Sequence, residues 1–126
     1  MNICIISYGH ISKTRGGVDR VTDVLSEGLK KKGHIVYLLS VCPPIDNDTL
    51  NDSQFQLPSM DVYSMQNKHF LQKFYDTKKI DIVLNQAERK DIFDLICATH
   101  ENIPIISCIH NDPKCALKSI IDLWDE

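Results

Sequence analysis

The chain has 126 residues, of which 43% are hydrophobic and 25% are charged, and its formal net charge is −3. This composition is typical of a single globular domain, and the weak negative charge argues against nucleic acid as a partner. The first apolar run is short and has no basic region before it, and no apolar run approaches the ~20 residues of a transmembrane helix. We therefore predict a cytoplasmic protein without a signal peptide or transmembrane segment.

The cysteine and histidine patterns argue against a metal centre. The five cysteines are odd in number and show no C-x-x-C spacing, which favours free thiols in a reducing compartment. No H-E-x-x-H or other histidine and cysteine spacing matches a metal site. We expect neither a metal nor another cofactor.

The first forty residues predict a strand, a helix and a second strand. Residues 3–7 are apolar, residues 8–15 form an unusually long polar loop, and residues 35–39 are apolar again. Between them, residues 17–32 have helical periodicity and are followed by Gly33, a typical C-cap. The predicted inward face includes a glycine that would let the helix approach the sheet closely, and it consists of Val18, Val21, Val24, Leu25, Gly28 and Leu29.

The rest of the chain predicts three more strands and three more helices. Residues 41–60 are rich in loop-forming residues, residues 61–64 are a short candidate strand, and residues 66–76 predict a helix. A strand over 79–84, a helix over 88–101 and a strand over 103–109 follow. The last predicted helix starts at Asp112-Pro113 and runs to about residue 124, with an apolar face formed by Ala116, Leu117, Ile120, Ile121 and Trp124.

This alternation predicts one α/β domain over residues 1–126, a three-layer α/β/α Rossmann-like fold with a parallel sheet of about five strands. The expected strand order is 3-2-1-4-5. Ligands would then bind at the carboxyl ends of strands one and four, where the order reverses.

The turn into the first helix is the first candidate site. Gly16 and Gly17 would expose backbone N–H groups at a helix N-terminus to a diphosphate or another anion, with Arg15 beside them. The alternative is that glycine only permits an awkward turn. Neither G-x-G-x-x-G with an acid after strand two nor G-x-x-x-x-G-K-[ST] is present, so a nicotinamide dehydrogenase or a simple NTPase is disfavoured.

Polar residues after strands four and five form the second candidate site. His110 and Asn111 follow strand five, and Asn85 and Gln86 end strand four, where polar groups can bind a hydroxylated ligand. In the first loop, His10 and Lys13 are candidate contacts to an anion or an acceptor. The alternatives are a surface histidine that helps to start the last helix, and ordinary loop polarity.

The order of these motifs resembles the opening of family 4 glycosyltransferases, which have the two-domain GT-B fold. The similarity rests on three segments: Gly16-Gly17-Val18-Asp19-Arg20, Lys32-Gly33-His34 and the run from Ile103-Pro104 to His110. It spans nearly all of this chain but only the amino-terminal, acceptor-side domain of the family. Asp19 stands where the family usually has Glu, and Asn85 and Gln86 stand where many members have histidine.

The resemblance implies an enzyme that transfers a sugar from a nucleotide-sugar donor to a glycan or lipid-linked acceptor. By position, Gly16, Gly17 and Arg15 would contact the donor diphosphate, and His110 would act beside the transferred sugar. Most of the donor would be held by a carboxyl-terminal domain that this sequence does not contain, so we expect the chain alone to be inactive. Peripheral association with a membrane stays open, as does the alternative of a non-catalytic α/β binding or partner-docking module.

Overall fold

In the computed structural model, the described residues are 1–7, 17–41, 53–87, 89–99 and 102–108, with backbone only for 17–20. These residues form five strands and three helices. In chain order the elements are β1 (Asn2–Ser7), α1 (Gly17–Lys31), β2 (Ile35–Ser40), β3 (Gln54–Gln56), α2 (Met65–Lys78), β4 (Ile82–Asn85), α3 (Lys90–Thr99) and β5 (Ile105–Ser107).

The strands form one parallel sheet in the order β3-β2-β1-β4-β5. This arrangement confirms the predicted class and strand order. The order reverses between β1 and β4, so the carboxyl ends of these two strands lie side by side at the switch point.

The two faces of the sheet are covered by different helices. On one face, which we call the α1 face, Ile3, Ile5, Val36 and Leu38 pack with residues of α1. On the opposite face, which we call the two-helix face, residues of α2 and α3 pack on a larger core. That core comprises Cys4, Ile6, Leu39, Val41, Leu57, Val62, Leu71, Phe74, Tyr75, Ile80, Val83, Ala87, Ile92, Leu95 and Ile96. The sheet is therefore the middle of three layers, as predicted.

Helix α1 ends as predicted but is rotated relative to the predicted inward face. Gly33 has a φ of 90° and its N–H donates to the Lys30 carbonyl, so it caps the helix. However, Val24 is 72% exposed, and Gly28 lies on the surface, where an added Cβ atom would have no close neighbour. The prediction that Gly28 allows close approach to the sheet is wrong. The buried polar side chains Thr22 and Ser26 occupy the inward face instead, and apolar periodicity alone could not reveal them.

The third strand lies earlier in the chain than predicted. β3 falls inside the stretch assigned to a loop, and residues 61–64 form a turn into α2. The Asp61 carboxylate accepts from the Tyr63 N–H at 3.2 Å, and the Ser64 hydroxyl accepts from the Asn67 N–H as the N-cap of α2. The prediction of a strand over residues 61–64 is wrong because Val62 is buried between exposed neighbours, a pattern that a turn shares with a strand.

Helices α2 and α3 lie where they were predicted; α2 extends slightly beyond the predicted residues 66–76 at both ends, and α3 lies within the predicted residues 88–101. Leu71, Phe74 and Tyr75 of α2 are buried. The first loop at residues 8–15 and the last predicted helix at residues 113–124 lie outside the described residues.

Candidate functional site

All five strands end in a polar residue at the carboxyl edge of the sheet. Ser7 at the end of β1 pairs with Ser40 at the end of β2. Asn85 at the end of β4 pairs with Ser107 at the end of β5. Gln56 ends β3 opposite Ser40. The interior of the same strands is apolar, so polarity changes abruptly at the edge where parallel α/β sheets bind ligands.

Backbone hydrogen bonds extend past the strand ends and hold this edge in place. The Gln86 N–H donates to the Ile6 carbonyl at 2.8 Å, and the Cys108 N–H donates to the Asn85 carbonyl at 2.9 Å. On the other side of β1, the Val41 N–H donates to the Ser7 carbonyl at 3.1 Å. We call the strand-end residues Ser7, Ser40, Gln56, Asn85 and Ser107, together with Gln86, the rim. Because the backbone of the rim is hydrogen-bonded, the strands do not fray at the switch point.

Asn85 lies at the centre of the rim, and its side chain is used within the protein. Its Oδ1 accepts from the Ala87 N–H at 3.0 Å, which turns the chain as β4 ends. Its Nδ2 donates to the Ser107 hydroxyl at 3.5 Å, a long contact that links β4 to β5. Asn85 and Gln86 are each only 3% exposed. Asn85 and Gln86, the two predicted acceptor contacts, are therefore the buried part of the rim.

The N-termini of α1 and α3 lie at the same edge, because each helix follows the carboxyl end of a strand. Gly17 is the first residue of α1, so the backbone places one predicted anion contact at the positive end of a helix. The other predicted site residues lie outside the described residues: His10, Lys13, Arg15, Gly16, His110 and Asn111.

Charged side chains at the start of α3 were not among the predicted site residues. Arg89 donates through Nε to the Asp91 carboxylate at 3.1 Å, and Lys90 donates through Nζ to Asp94 at 3.1 Å. The Tyr63 hydroxyl donates to the same Asp94 carboxylate at 3.3 Å. These charges neutralise one another locally, so this corner offers an anion little net positive potential.

Serines at the strand ends were also missed, although the sequence carried a signal for them. Ser7 and Ser40 each follow an apolar run directly, and both are buried and bonded to other groups. A serine side chain is small, and its hydroxyl can both donate and accept hydrogen bonds, so it makes the end of a strand polar while occupying little volume.

Two further observations limit what the described part of the chain can do. No helix among the described residues is long and apolar enough to cross a membrane. In the same ranges, no group of three or more His, Cys, Asp or Glu side chains is placed to hold a metal ion.

No protein-family model matches this sequence, and no curated protein is similar enough to it to count as a match. The function of the site is therefore inferred from its own residues and geometry.

Proposed function

We propose that this chain is the acceptor-side domain of a glycosyltransferase that moves a sugar from a nucleotide-sugar donor to a glycan or lipid-linked acceptor. The observation that carries the proposal is the polar carboxyl edge of the sheet at the switch point, where β1 and β2 end in Ser7 and Ser40 and β4 ends in Asn85, which Gln86 follows. A rim of hydroxyl and amide groups on an apolar sheet suits a ligand with many hydroxyls.

In this proposal the residues have the roles that were expected from the sequence. Gly16, Gly17 and Arg15 would bind the donor diphosphate at the N-terminus of α1, where backbone N–H groups stabilise the charge that develops on the leaving group. His110 would lie beside the transferred sugar. It follows Cys108 by two residues in the sequence, and the Cys108 N–H donates to the Asn85 carbonyl.

His10, Lys13 and Asn111 would contact the acceptor. Asn85 and Gln86 would contribute from below, since both are buried and Asn85 already holds the Ala87 turn. Transfer also requires the donor and the acceptor to be held together in one geometry. In our proposal, catalysis needs a second domain, and the isolated chain binds without turning over.

A second candidate is a non-catalytic α/β module that binds a partner. The observation in its favour is the burial of Asn85 and Gln86, which fills the described centre of the rim with the chain's own side chains. A module of this kind would keep the fold without an open cleft at the switch point.

Calorimetry with the isolated chain separates the two candidates. Titrations with nucleoside diphosphates and with neutral oligosaccharides are compared for the wild type, His110→Ala and His69→Ala, because His69 is an exposed histidine of α2 and serves as the matched control. Glycosyltransferase function predicts oligosaccharide binding that His110→Ala weakens about tenfold, which corresponds to about 1.4 kcal/mol, and that His69→Ala leaves unchanged. Indifference of all three proteins to every sugar would favour the binding module.

A further inference from the structure

The side-chain amide of Asn85 has an orientation that its neighbours determine. The Ala87 N–H donates to one end of this amide at 3.0 Å, and because a backbone N–H can only donate, that end is the oxygen Oδ1. The nitrogen Nδ2 is therefore at the other end of the amide, where it lies 3.5 Å from the Ser107 hydroxyl oxygen. The chemistry of the partners thus fixes which end of Asn85 faces β5.

The Ser107 hydroxyl keeps its own hydrogen for another group. An amide nitrogen has two hydrogens to donate and accepts none, so the Ser107 Oγ is the acceptor in its contact with Asn85. Among the described residues, the Ser107 hydroxyl has no further hydrogen-bond partner. The donors therefore follow one direction, from the Ala87 N–H through the Asn85 amide to the Ser107 O–H, and hydrogen bonds linked in this way polarise one another.

Ser107 lies where the interior of the sheet meets solvent at the carboxyl edge. Asn85 pairs with Ser107 on one side and with Ile6 on the other, and Ile6 belongs to the core of the two-helix face. Paired residues of parallel strands point to the same face, so Ser107 lies on this side too. Asn85 is only 3% exposed, whereas Ser107 is exposed. A ligand at this edge can contact the Ser107 hydroxyl directly, and Asn85 can act on that ligand through Ser107.

We propose that Ser107 is a specificity-determining residue of the rim, whose O–H donates a hydrogen bond to an oxygen atom of the bound ligand, and that Asn85 is its positioning residue. Under the proposed function, on which this inference rests, the oxygen belongs to a hydroxyl group of the glycan or lipid-linked acceptor. A ligand without oxygen at this place would cover the O–H and leave it without a partner, so it would bind more weakly.

NMR spectra of the Asn85 side-chain amide test the direction of these hydrogen bonds in the full chain without a ligand. One of the two Nδ2 hydrogens should move upfield in Ser107→Ala, which removes its acceptor, and should keep its position in Ser107→Thr, which retains a hydroxyl. Ile106→Ala is the matched control, because Ile106 is exposed on the same strand and points to the opposite face. An Asn85 amide that is unchanged in Ser107→Ala would overturn the proposal.

Calorimetric titrations with neutral oligosaccharides measure the contribution of Ser107 to binding. Ser107→Ala should weaken binding of the tightest oligosaccharide about fivefold to tenfold, which corresponds to one hydrogen bond. Ser107→Thr and Ile106→Ala should leave this affinity unchanged. One singly deoxygenated derivative of the same oligosaccharide should bind the wild type and Ser107→Ala equally, because it lacks the oxygen that Ser107 contacts.

Asn85→Asp tests the positioning role. A carboxylate still accepts from the Ala87 N–H but cannot donate to Ser107, whose O–H would then donate to the carboxylate instead of the ligand. Asn85→Asp should therefore weaken oligosaccharide binding as much as Ser107→Ala, and the double variant should bind no more weakly than either one. Additive losses would contradict the positioning role. If Asn85→Asp fails to fold, the comparison of Ser107→Ala with the deoxygenated derivatives decides the role of Ser107.

The outcomes distinguish this inference from the proposed function. Oligosaccharide binding that Ser107→Ala leaves unchanged would overturn the role of Ser107, while the proposed function would stand. A wild-type chain that binds no oligosaccharide would contradict the proposed function, and the ligand assigned to Ser107 would be wrong as well.

Discussion

The two faces of the sheet differ in how completely their cores are built. The two-helix face carries an aromatic cluster in which Phe74 contacts Tyr37, Phe55 and Phe70 with ring centroids 5.0–6.0 Å apart. The α1 face has a smaller core that turns polar toward the carboxyl edge, where Ser7 and Ser40 replace aliphatic residues. The difference indicates that, among the described residues, the two-helix face supplies most of the stability.

The largest expected effect is the loss of a leucine from the two-helix core. Leu71→Ala should lower the free energy of unfolding by about 2–5 kcal/mol, because Leu71 is fully buried between α2 and the sheet and leaves a cavity. Leu25→Ala on the half-buried side of α1 is the matched control and should cost less than about 2 kcal/mol. Urea denaturation measures both, and equal losses would contradict the proposed asymmetry between the faces.

An intermediate effect is expected from the buried thiol of the two-helix face. Burial raises the pKa of Cys4 far above its ordinary value of 9.0, so the folded protein keeps this proton while the unfolded chain releases it. The stabilising contribution is complete below pH 9 and is lost as the pH rises further, by up to about 1.4 kcal/mol per pH unit.

The test of this pH dependence compares Cys4→Ala with the wild type. Unfolding free energies measured between pH 8 and pH 10.5 should fall less steeply in Cys4→Ala. Cys97→Ala, which removes a thiol from the exposed side of α3, should change the slope less. Parallel pH profiles of the wild type and Cys4→Ala would show that the thiol does not contribute.

The smallest effect is expected at a buried side-chain oxygen of this face that has no hydrogen-bond partner among the described residues. The hydroxyl of Tyr75 is buried without a partner, and burial raises its pKa. The neighbouring Thr99 hydroxyl donates to the Leu95 carbonyl at 2.8 Å instead. Tyr75→Phe should therefore leave stability within about 0.5 kcal/mol of the wild type or increase it. A loss above about 1 kcal/mol would indicate that the hydroxyl does have a partner.

The class, the strand order and most of the core could be predicted from the amino-acid sequence. Apolar runs such as residues 3–6 and 35–39, alternating with helices, are typical of strands in a parallel sheet that is covered on both faces. Right-handed connections between such strands then leave few possible strand orders. The same applies to α2, in which Leu71, Phe74 and Tyr75 stand at helical spacing and are all buried. Gly33 as the helix cap was also predictable, because a left-handed residue after a helix favours glycine.

Which residues of the rim and of α1 are buried depends on contacts between elements that are distant in the sequence. Asn85 is buried and its partners within the chain are Ala87 and Ser107, the second of which is 22 residues away in sequence. Within α1, Thr22 and Ser26 are buried, whereas Val24 is exposed to solvent. Hydrophobic periodicity reports the average preference of a face, whereas the rotation of a helix on its sheet depends on side chains that the sheet presents to it.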